Sequence, residues 1–417
     1  MSTRTKNVLI LILLLVAPTL ACNLTTPSQS PEDALATHVS QTMEAQELPP
    51  TPPPSETEVV SPAGSFRLLF LEGQDLYAME VSSGEIQHLY SLPSLVEQSV
   101  IHLDSEGMNI AYRDEGALRV LDFSTGEEVY SLTDQETERE LNRYIPRDWI
   151  DPESVLAQRY HYILDENDSW IYTSQIGWLT IPDGSWHALP SQEEMIFSAD
   201  CWADVALSPD GRRVALALSA FGQGCTPLDP GLHLLDLEDG SAQTLISREA
   251  GLMPAWQSGG YSPSWSLDGD WIALTLVEPT VAPEEDPRGI PFPRVLYVVR
   301  ADGSDLTQLT SNSTGAATGA IWDRNGRLYY GVIHTEDNTN AIFVYDLDDQ
   351  SDTILVESNA TPASLSPDEI FLVYMDDLGI SYYLKAIQLS DGKIFDVPAP
   401  SGGMSMGLEF VGWQLQE

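Results

Sequence analysis

A short apolar strand, an acidic turn and a second apolar strand recur throughout residues 66–417. The clearest copy runs from Val205 to Leu216 and has the turn Ser208 to Gly211 at its centre. Asp and Gly in such turns supply the side-chain turns and the positive φ angles that tight hairpins need. Further copies begin at Leu103, Trp149, Trp265, Trp322 and Leu365. Short strands between turns, with no helical period, predict an all-β chain.

A second hairpin follows the first in each repeat. Its seven copies are Leu76–Gly84, Leu118–Gly126, Trp178–Gly184, His233–Gly240, Leu296–Gly303, Phe343–Asp349 and Leu384–Gly392. Two hairpins give four strands, and four strands in about 40 to 60 residues match a propeller blade. The first repeat, from Phe66, lacks an inner strand, whereas Leu408 to Trp413 form one with no repeat after it. We predict a single β-propeller of seven four-stranded blades over residues 65–417, closed by the carboxyl-terminal strand.

The turn Ser208-Pro209-Asp210-Gly211 resembles the repeat of TolB-type, WD-repeat-like propellers. The resemblance covers about residues 66–417. It implies the propeller fold, which serves both envelope scaffolds and the propeller domains of dipeptidyl-peptidase-like enzymes.

The amino terminus has the layout of a secretory signal peptide. Arg4 and Lys6 precede an apolar run from Val8 to Ala17, and a small-residue segment ends at Cys22. The run is shorter than the roughly 20 apolar residues that span a bilayer. A cysteine after a small residue resembles the lipobox of bacterial lipoproteins, although Thr19 stands where leucine is usual. We expect residues 1–21 to be removed and Cys22 to be lipidated; an uncleaved anchor and an unmodified cysteine are the alternatives.

Residues 22–64 form a Pro-, Thr- and Glu-rich segment that includes Pro49 to Pro54. It has too little apolar surface to offset the entropy of ordering, so we predict a disordered tether. The chain is therefore expected outside the cytoplasm, held by lipid at the cell membrane or envelope. In an oxidising compartment Cys201 and Cys225 can form a disulfide, with two free buried thiols as the alternative.

The net charge of −44 argues against a nucleic-acid partner, because phosphate binding requires a basic face. The charge also favours a monomer, since such surfaces repel one another. A protein or glycan ligand is the expected partner, besides the membrane.

Long insertions fall in the connections opposite the tight Asp-Gly turns, at 135–143, 190–202, 219–231, 248–261, 279–294 and 334–340. Loops on a rigid scaffold commonly carry binding, so this face is the expected binding face. The ligand-binding candidates on it are Trp202, Phe221, Trp256, Tyr261, Arg288, Phe292 and Arg294. The alternative is that these residues only pack their own loops. Four other tryptophans, Trp149, Trp265, Trp322 and Trp413, end inner strands and are predicted to be core.

No catalytic motif emerges. Gly403 to Gly407 matches Gly-x-Ser-x-Gly, but no helix or histidine follows it. The histidines lack metal-ligand spacing, and the acidic runs 165–168 and 346–349 lack the glycine and glutamate of a known calcium loop. We therefore expect no cofactor, with Ca²⁺ as a weak option, and no enzymatic activity. The leading hypothesis is a membrane-anchored binding or scaffolding protein; the alternative is a propeller hydrolase or lyase acting on extracellular glycans or peptides.

Overall fold

The structure is a computed structural model that describes residues 66–415. Segments outside the described residues are 93–100, 105–106, 115, 124, 138, 165–169, 182, 190–200, 221–229, 248–249, 251, 255–262, 278–293, 311–315, 334–339, 359, 378–381 and 402–407. The predictions for residues 1–65 lie outside this part of the chain. No helix in the described part is long and apolar enough to cross a membrane.

The described chain folds into seven antiparallel sheets, one per blade. Blade 1 contains β1 (Phe66–Glu72), β2 (Asp75–Glu80) and β3 (Glu85–Ser91). Blade 2 contains β4 (Ile101–Leu103), β5 (Asn109–Asp114), β6 (Ala117–Asp122) and β7 (Glu127–Thr133). Blade 3 contains β8 (Gln135–Glu136), β9 (Glu140–Asp151), β10 (Ser154–Leu164), β11 (Trp170–Thr180) and β12 (Ser185–Ala188).

The remaining blades follow in chain order. Blade 4 contains β13 (Cys201–Leu207), β14 (Arg213–Ala220), β15 (Gly231–Asp236) and β16 (Ala242–Ser247). Blade 5 contains β17 (Met253–Pro254), β18 (Ser264–Trp265), β19 (Trp271–Val277), β20 (Arg294–Arg300) and β21 (Thr307–Gln308). Blade 6 contains β22 (Ala316–Trp322), β23 (Arg327–Ile333), β24 (Asn340–Asp346) and β25 (Ser351–Glu357). Blade 7 contains β26 (Ala360–Leu365), β27 (Phe371–Asp377), β28 (Tyr382–Gln388) and β29 (Ile394–Asp396).

The last strand, β30 (Leu408–Leu415), closes the ring. It pairs antiparallel with β1 over its whole length, from Leu408 opposite Glu72 to Leu415 opposite Phe66. It is therefore the inner strand that the first repeat lacks, and the sheet order is β3-β2-β1-β30. The predicted seven-bladed, carboxyl-terminally closed propeller is confirmed.

Within a typical blade the strands run inner to outer in chain order, so the two hairpin turns lie on one face of the disc. We call this the turn face and the opposite one the loop face. At the turn face Ser208 Oγ donates to Asp210 Oδ1 at 2.5 Å and accepts from Arg213 N–H at 2.9 Å. The motif repeats at Ser266 and Ser366, because a hydroxyl two residues before an aspartate satisfies the turn locally.

One apolar cluster fills each of the seven junctions between neighbouring blades. The four inner-strand tryptophans are buried there, as predicted. Three of them donate Nε1–H to a carbonyl of the preceding inner strand: Trp149 to His102 O at 2.9 Å, Trp265 to Ala206 O at 3.0 Å and Trp322 to Ser264 O at 3.0 Å. Trp413 donates instead to Ser364 Oγ at 3.3 Å. These bonds tie successive inner strands together near the turn face.

The prediction of an irregular loop over 135–143 is wrong. This segment contains β8 and the start of β9, which pairs with β10 as far as Glu140 opposite Ile163. In β10 the pairing with β11 continues to Leu164 opposite Trp170. The three central strands of blade 3 are thus 11 or 12 residues long, against six to eight in blade 4, and they extend farther on the loop face.

Candidate functional site

Most of the predicted site residues lie outside the described part of the chain, namely Cys22, Phe221, Cys225, Trp256, Tyr261, Arg288 and Phe292. Cys201 and Trp202 begin strand β13, where they pair with Ala220 and Ser219. Arg294 is the first residue of strand β20, with 7% of its surface exposed, rather than part of a loop. Burial lowers the pKa of Arg294 to about 10. The role of Arg294 in ligand binding stays a prediction, as do the roles of the other candidates.

The inner strands show a feature that the sequence analysis missed. In blades 5 to 7 the described inner strands β17, β18, β22 and β26 contain only neutral residues. In blades 1 to 4 the inner strands carry titratable side chains, which include His102 on β4 and Asp204 on β13. Among the described inner strands, the titratable side chains are therefore those of blades 1 to 4. A purely structural ring would not require this asymmetry, since neutral inner strands close blades 5 to 7 equally well.

Polar side chains are concentrated on the face of blade 3 that packs against blade 4. Leu156 and Ile176 on this face join the apolar cluster of the junction with blade 4. Side chains two residues apart on a strand lie on the same face, so Gln158, Tyr160 and Ser174 lie on this face closer to the loop face of the disc. Tyr160 is directly opposite Ser174. Gln158 and Ser174 are almost fully buried, at 1% and 2% exposure. Burying a polar side chain costs free energy unless the side chain is hydrogen-bonded, so Gln158 and Ser174 are expected to have hydrogen-bond partners here.

Arg147 lies at the centre of that network. The pairing of β9 with β10 shifts by one residue here, with Leu156 opposite Asp148 and Ala157 opposite Pro146, so that Arg147 is the extra residue of a β-bulge. Bulges re-aim side chains and are common beside functional sites. Arg147 Nε and Nη2 donate to Gln158 Oε1 at 3.2 and 2.5 Å.

Gln158 in turn donates from Nε2 to Ser174 Oγ at 3.2 Å. Arg147 also hydrogen-bonds the hydroxyl of Tyr160. The guanidinium is therefore held by neutral groups. Among the described residues no carboxylate forms an ion pair with it.

Asp204 lies on the neighbouring inner strand β13, opposite Ala217, whose side chain packs in the junction between blades 4 and 5. Burial raises the pKa of Asp204, and the positive charge of Arg147 lowers it by less. No described residue donates a hydrogen bond to its carboxylate. The pKa of Tyr160 is raised mainly by burial, while Arg147 lowers it. We refer to Arg147, Gln158, Tyr160 and Ser174 as the polar site.

An aromatic pair adjoins the polar site on the loop-face side. The rings of Tyr160 and Tyr162 stack with centroids 6.2 Å apart and an interplanar angle of 24°. Tyr162 is half-buried, two residues along β10 from Tyr160 and on the same face of the sheet. The polar groups thus lie next to a flat apolar surface.

Two further titratable groups lie on the turn-face side. Burial raises the pKa of Asp148 to about 6, although its carboxylate accepts N–H hydrogen bonds from Trp149, at 2.8 Å, and from Leu207. Burial, assisted by the charge of Arg147, lowers the pKa of His102 to about 4. His102 is therefore neutral at physiological pH. Perturbed pKa values of this kind concentrate at functional sites, although buried structural networks produce them too.

The described residues contain no group of three or more His, Cys, Asp or Glu side chains arranged to hold a metal ion. The acidic run 165–168 lies outside the described residues. In the run 346–349 the carboxylates cap their own turn, with Asp346 Oδ1 accepting from Asp348 N–H and Asp349 Oδ1 from Ser351 N–H, both at 2.9 Å. The weak expectation of Ca²⁺ stays a prediction.

Solved structures of other proteins have a similar fold. Oligogalacturonate lyase from Vibrio parahaemolyticus is 12% identical, with a TM-score of 0.52 over 81% of this chain and 92% of that one. A puromycin-hydrolyzing peptidase from Mycobacterium tuberculosis is 13% identical, with a TM-score of 0.52 over 80% of this chain and 53% of that one. TolB from Acinetobacter baumannii is 13% identical, with a TM-score of 0.37 over 71% of this chain and 67% of that one. The turn motif resembles that of TolB-type propellers. The shared feature is the propeller fold.

No protein-family profile matches the chain, and no curated protein matches it in sequence. The prediction that the chain is not an enzyme needs correction, because the proteins of similar fold include enzymes, among them a lyase and a peptidase. The lack of a local motif does not decide the question, because a propeller can bring together residues from different blades.

Proposed function

We propose that this protein is an exported, lipid-anchored recognition protein that binds its ligand at the polar site between blades 3 and 4. The observation that carries the proposal is the state of Arg147. Its guanidinium is oriented by a buried amide and a tyrosine hydroxyl, with no ion-pair partner among the described residues. A guanidinium that is oriented in this way and partly buried can donate hydrogen bonds to an acceptor group of a bound ligand.

We expect the protein to be located outside the cytoplasm. Cys22 would carry the lipid, and residues 23–64 would hold the propeller away from the membrane. Two or more acyl chains make such anchoring stable. Replacing Cys22 with serine should move the protein from the membrane fraction to the soluble extracytoplasmic fraction; retention in the membrane would contradict the lipid anchor.

The loop candidates from the sequence remain part of the proposed binding face. Trp202 is on strand β13, the inner strand of blade 4, where it pairs with Ser219. Phe221 belongs to the connection that follows β14 in the same blade. We propose that Trp202 and Phe221 contribute to ligand binding, together with Trp256, Tyr261, Arg288 and Phe292.

A photo-cross-linking experiment on intact cells tests the location of the site. A benzoylphenylalanine at position 162 should give a reproducible cross-link, and the same residue at the adjacent position 161, on the opposite face of β10, should not. The Arg147→Gln variant should lose the cross-link. Its matched control is Arg159→Gln, because Arg159 donates to Asn142 Oδ1 at 3.1 and 2.7 Å in the same way, but on the other face of blade 3. A cross-link that persists in Arg147→Gln would refute the proposed site.

A second candidate function is a hydrolase or lyase acting on extracellular glycans or peptides. The observation that favours it is that burial raises the pKa of two carboxyl groups on neighbouring inner strands, Asp148 to about 6 and Asp204. A carboxyl group with a pKa near 6 can donate and accept protons close to neutral pH. Turnover of a glycan and peptide panel, lost in Asp204→Asn and retained in Asp151→Asn at the exposed end of β9, would support catalysis. Equal turnover in both variants would refute it.

A further inference from the structure

The positive charge of Arg147 is not neutralised by the described residues. Its Nε and Nη2 donate to the uncharged amide oxygen of Gln158, and it hydrogen-bonds the neutral hydroxyl of Tyr160. A guanidinium has five N–H donors, more than these contacts use, so donors remain that have no partner among the described residues. Arg147 is half-buried, and part of its side chain is therefore open to solvent.

The carboxyl groups near Arg147 do not act as its counter-ion. The adjacent Asp148 uses its carboxylate to accept two backbone N–H groups. Arg147 lowers the pKa of Asp204, but Asp204 lies opposite Ala217, on the face of β13 toward blade 5. In the described part of the chain neither carboxylate forms an ion pair with the guanidinium.

Arg113 shows how the same chain neutralises a buried guanidinium. It is 1% exposed, and its Nη1 and Nη2 donate to the two carboxylate oxygens of Asp134 at 3.1 and 2.6 Å. Taking a charge out of water costs free energy, which a hydrogen-bonded carboxylate offsets. Arg147 has the same need, and acidic residues outnumber basic ones by 63 to 19, yet the described residues supply no carboxylate to it. A bound ligand can supply one.

We propose that Arg147 binds the carboxylate group of a ligand, with Gln158 orienting the guanidinium. A carboxylate has two acceptor oxygens that match the fork of N–H donors, whereas a neutral carbonyl or hydroxyl group leaves the charge uncompensated. The net charge of −44 permits this contact, because exposed charges more than about 8 Å away are largely screened at physiological ionic strength. It disfavours polyanions, so we expect a ligand with a single carboxylate. This inference rests on the proposed function, because it names the ligand class of the same site.

Titration calorimetry of the full mature protein tests the inference with matched acids and amides. The probes are N-acetyl-tetraalanine and its carboxamide, which present the end of a peptide, and hexanoate and hexanamide, which represent a small organic acid. Each amide keeps the shape of its acid and one oxygen acceptor but lacks the charge. The expected result is that at least one acid binds about ten- to a hundredfold more tightly than its amide. Equal binding of acid and amide in both pairs, or no binding of either acid, would overturn the inference.

Variants assign the preference for the acid to Arg147. Arg147→Gln should bind the acid as weakly as the amide, with its affinity for the amide unchanged. Arg147→Lys keeps the charge but loses the fork of donors, so it should keep only part of the preference. Arg159→Gln is the matched control and should keep all of it, because Arg159 donates to Asn142 Oδ1 on the opposite face of blade 3.

A preference for the acid that survives in Arg147→Gln would refute the assignment. If Arg147→Gln fails to fold, Arg147→Lys decides, and a preference as large as that of the wild type would then refute it.

The cross-link at position 162 separates the failure of this inference from that of the proposed function. If the cross-link forms and depends on Arg147 but acid and amide bind equally, the site stands and the carboxylate inference is refuted. If the preference for the acid depends on Arg147 but no cross-link forms on cells, Arg147 binds carboxylates and the proposed recognition of a ligand on cells is refuted.

Discussion

The pH dependence of stability should show the titration of one half-buried carboxyl group, Asp148. It lies on β9, and its carboxylate accepts N–H hydrogen bonds from Trp149 of its own strand and from Leu207 of the neighbouring inner strand. At the junctions entering blades 3, 5 and 6 a tryptophan makes the corresponding link. At the junction entering blade 4, Leu207 occupies the tryptophan position, and Asp148 provides the link instead.

The magnitude follows from the pKa. Burial raises the pKa of Asp148 from 3.8 to about 6. Each pKa unit corresponds to about 1.4 kcal/mol, so the shift amounts to about 3 kcal/mol. Because the folded-state pKa is the higher one, the folded state holds the proton more tightly than the unfolded state. The stabilisation is complete below pH 3.8 and is lost as the pH rises through about 6.

Asp148→Asn keeps an oxygen acceptor for both N–H groups and removes the titration. Relative to wild type, the variant should therefore gain about 2 to 3 kcal/mol in free energy of unfolding between pH 4 and pH 8. Urea unfolding at half-unit pH steps measures this difference. Asp151→Asn, at the exposed end of the same strand, controls for the change in net charge. Parallel pH curves for wild type and Asp148→Asn would refute the reasoning.

Three further predictions concern the ring. Deleting residues 408–417 should leave blade 1 with an unpaired inner edge and produce an aggregating, cold-labile protein, which size-exclusion chromatography would detect; a monomer with wild-type melting temperature would contradict the closure. Trp265→Phe removes the donor to Ala206 O and should cost about 1 to 3 kcal/mol in urea unfolding, with an unchanged midpoint as the contrary result. Gly177→Ala would place its Cβ 2.3 Å from His187 O and 2.8 Å from the Trp186 ring, so we expect a loss of about 1 to 3 kcal/mol; tolerance of the methyl group would show that β12 moves freely.

The sequence alone predicted the propeller because the turn chemistry is local. Ser208, Asp210 and Gly211 form their hydrogen bonds within six residues, so each turn is readable from consecutive letters. The missing inner strand of the first repeat and the surplus strand after the last one predicted the closure in the same way. The tryptophans at the ends of inner strands were predicted as core from their repeated position, and they are buried.

The polar site could not be predicted in this way. The alternation of Gln158, Tyr160 and Tyr162 along β10 is present in the sequence, but the partner segment on β9, residues 141–145, overlaps the loop that the sequence predicts over 135–143. The sequence therefore offers no partner strand for that polar face. The β-bulge at Arg147 likewise depends on the register between two strands, which the residue pattern alone does not specify.

What the sequence by itself determined is the repeat, the number of blades and the way the ring closes, since these depend on turns and strands a few residues long. Only the tertiary structure decided which side chains meet at the axis. Arg147 is oriented by Gln158 and Tyr160 of the neighbouring strand β10. These side chains meet because β9 and β10 pair with a one-residue bulge, so the site depends on strand register and has no local motif.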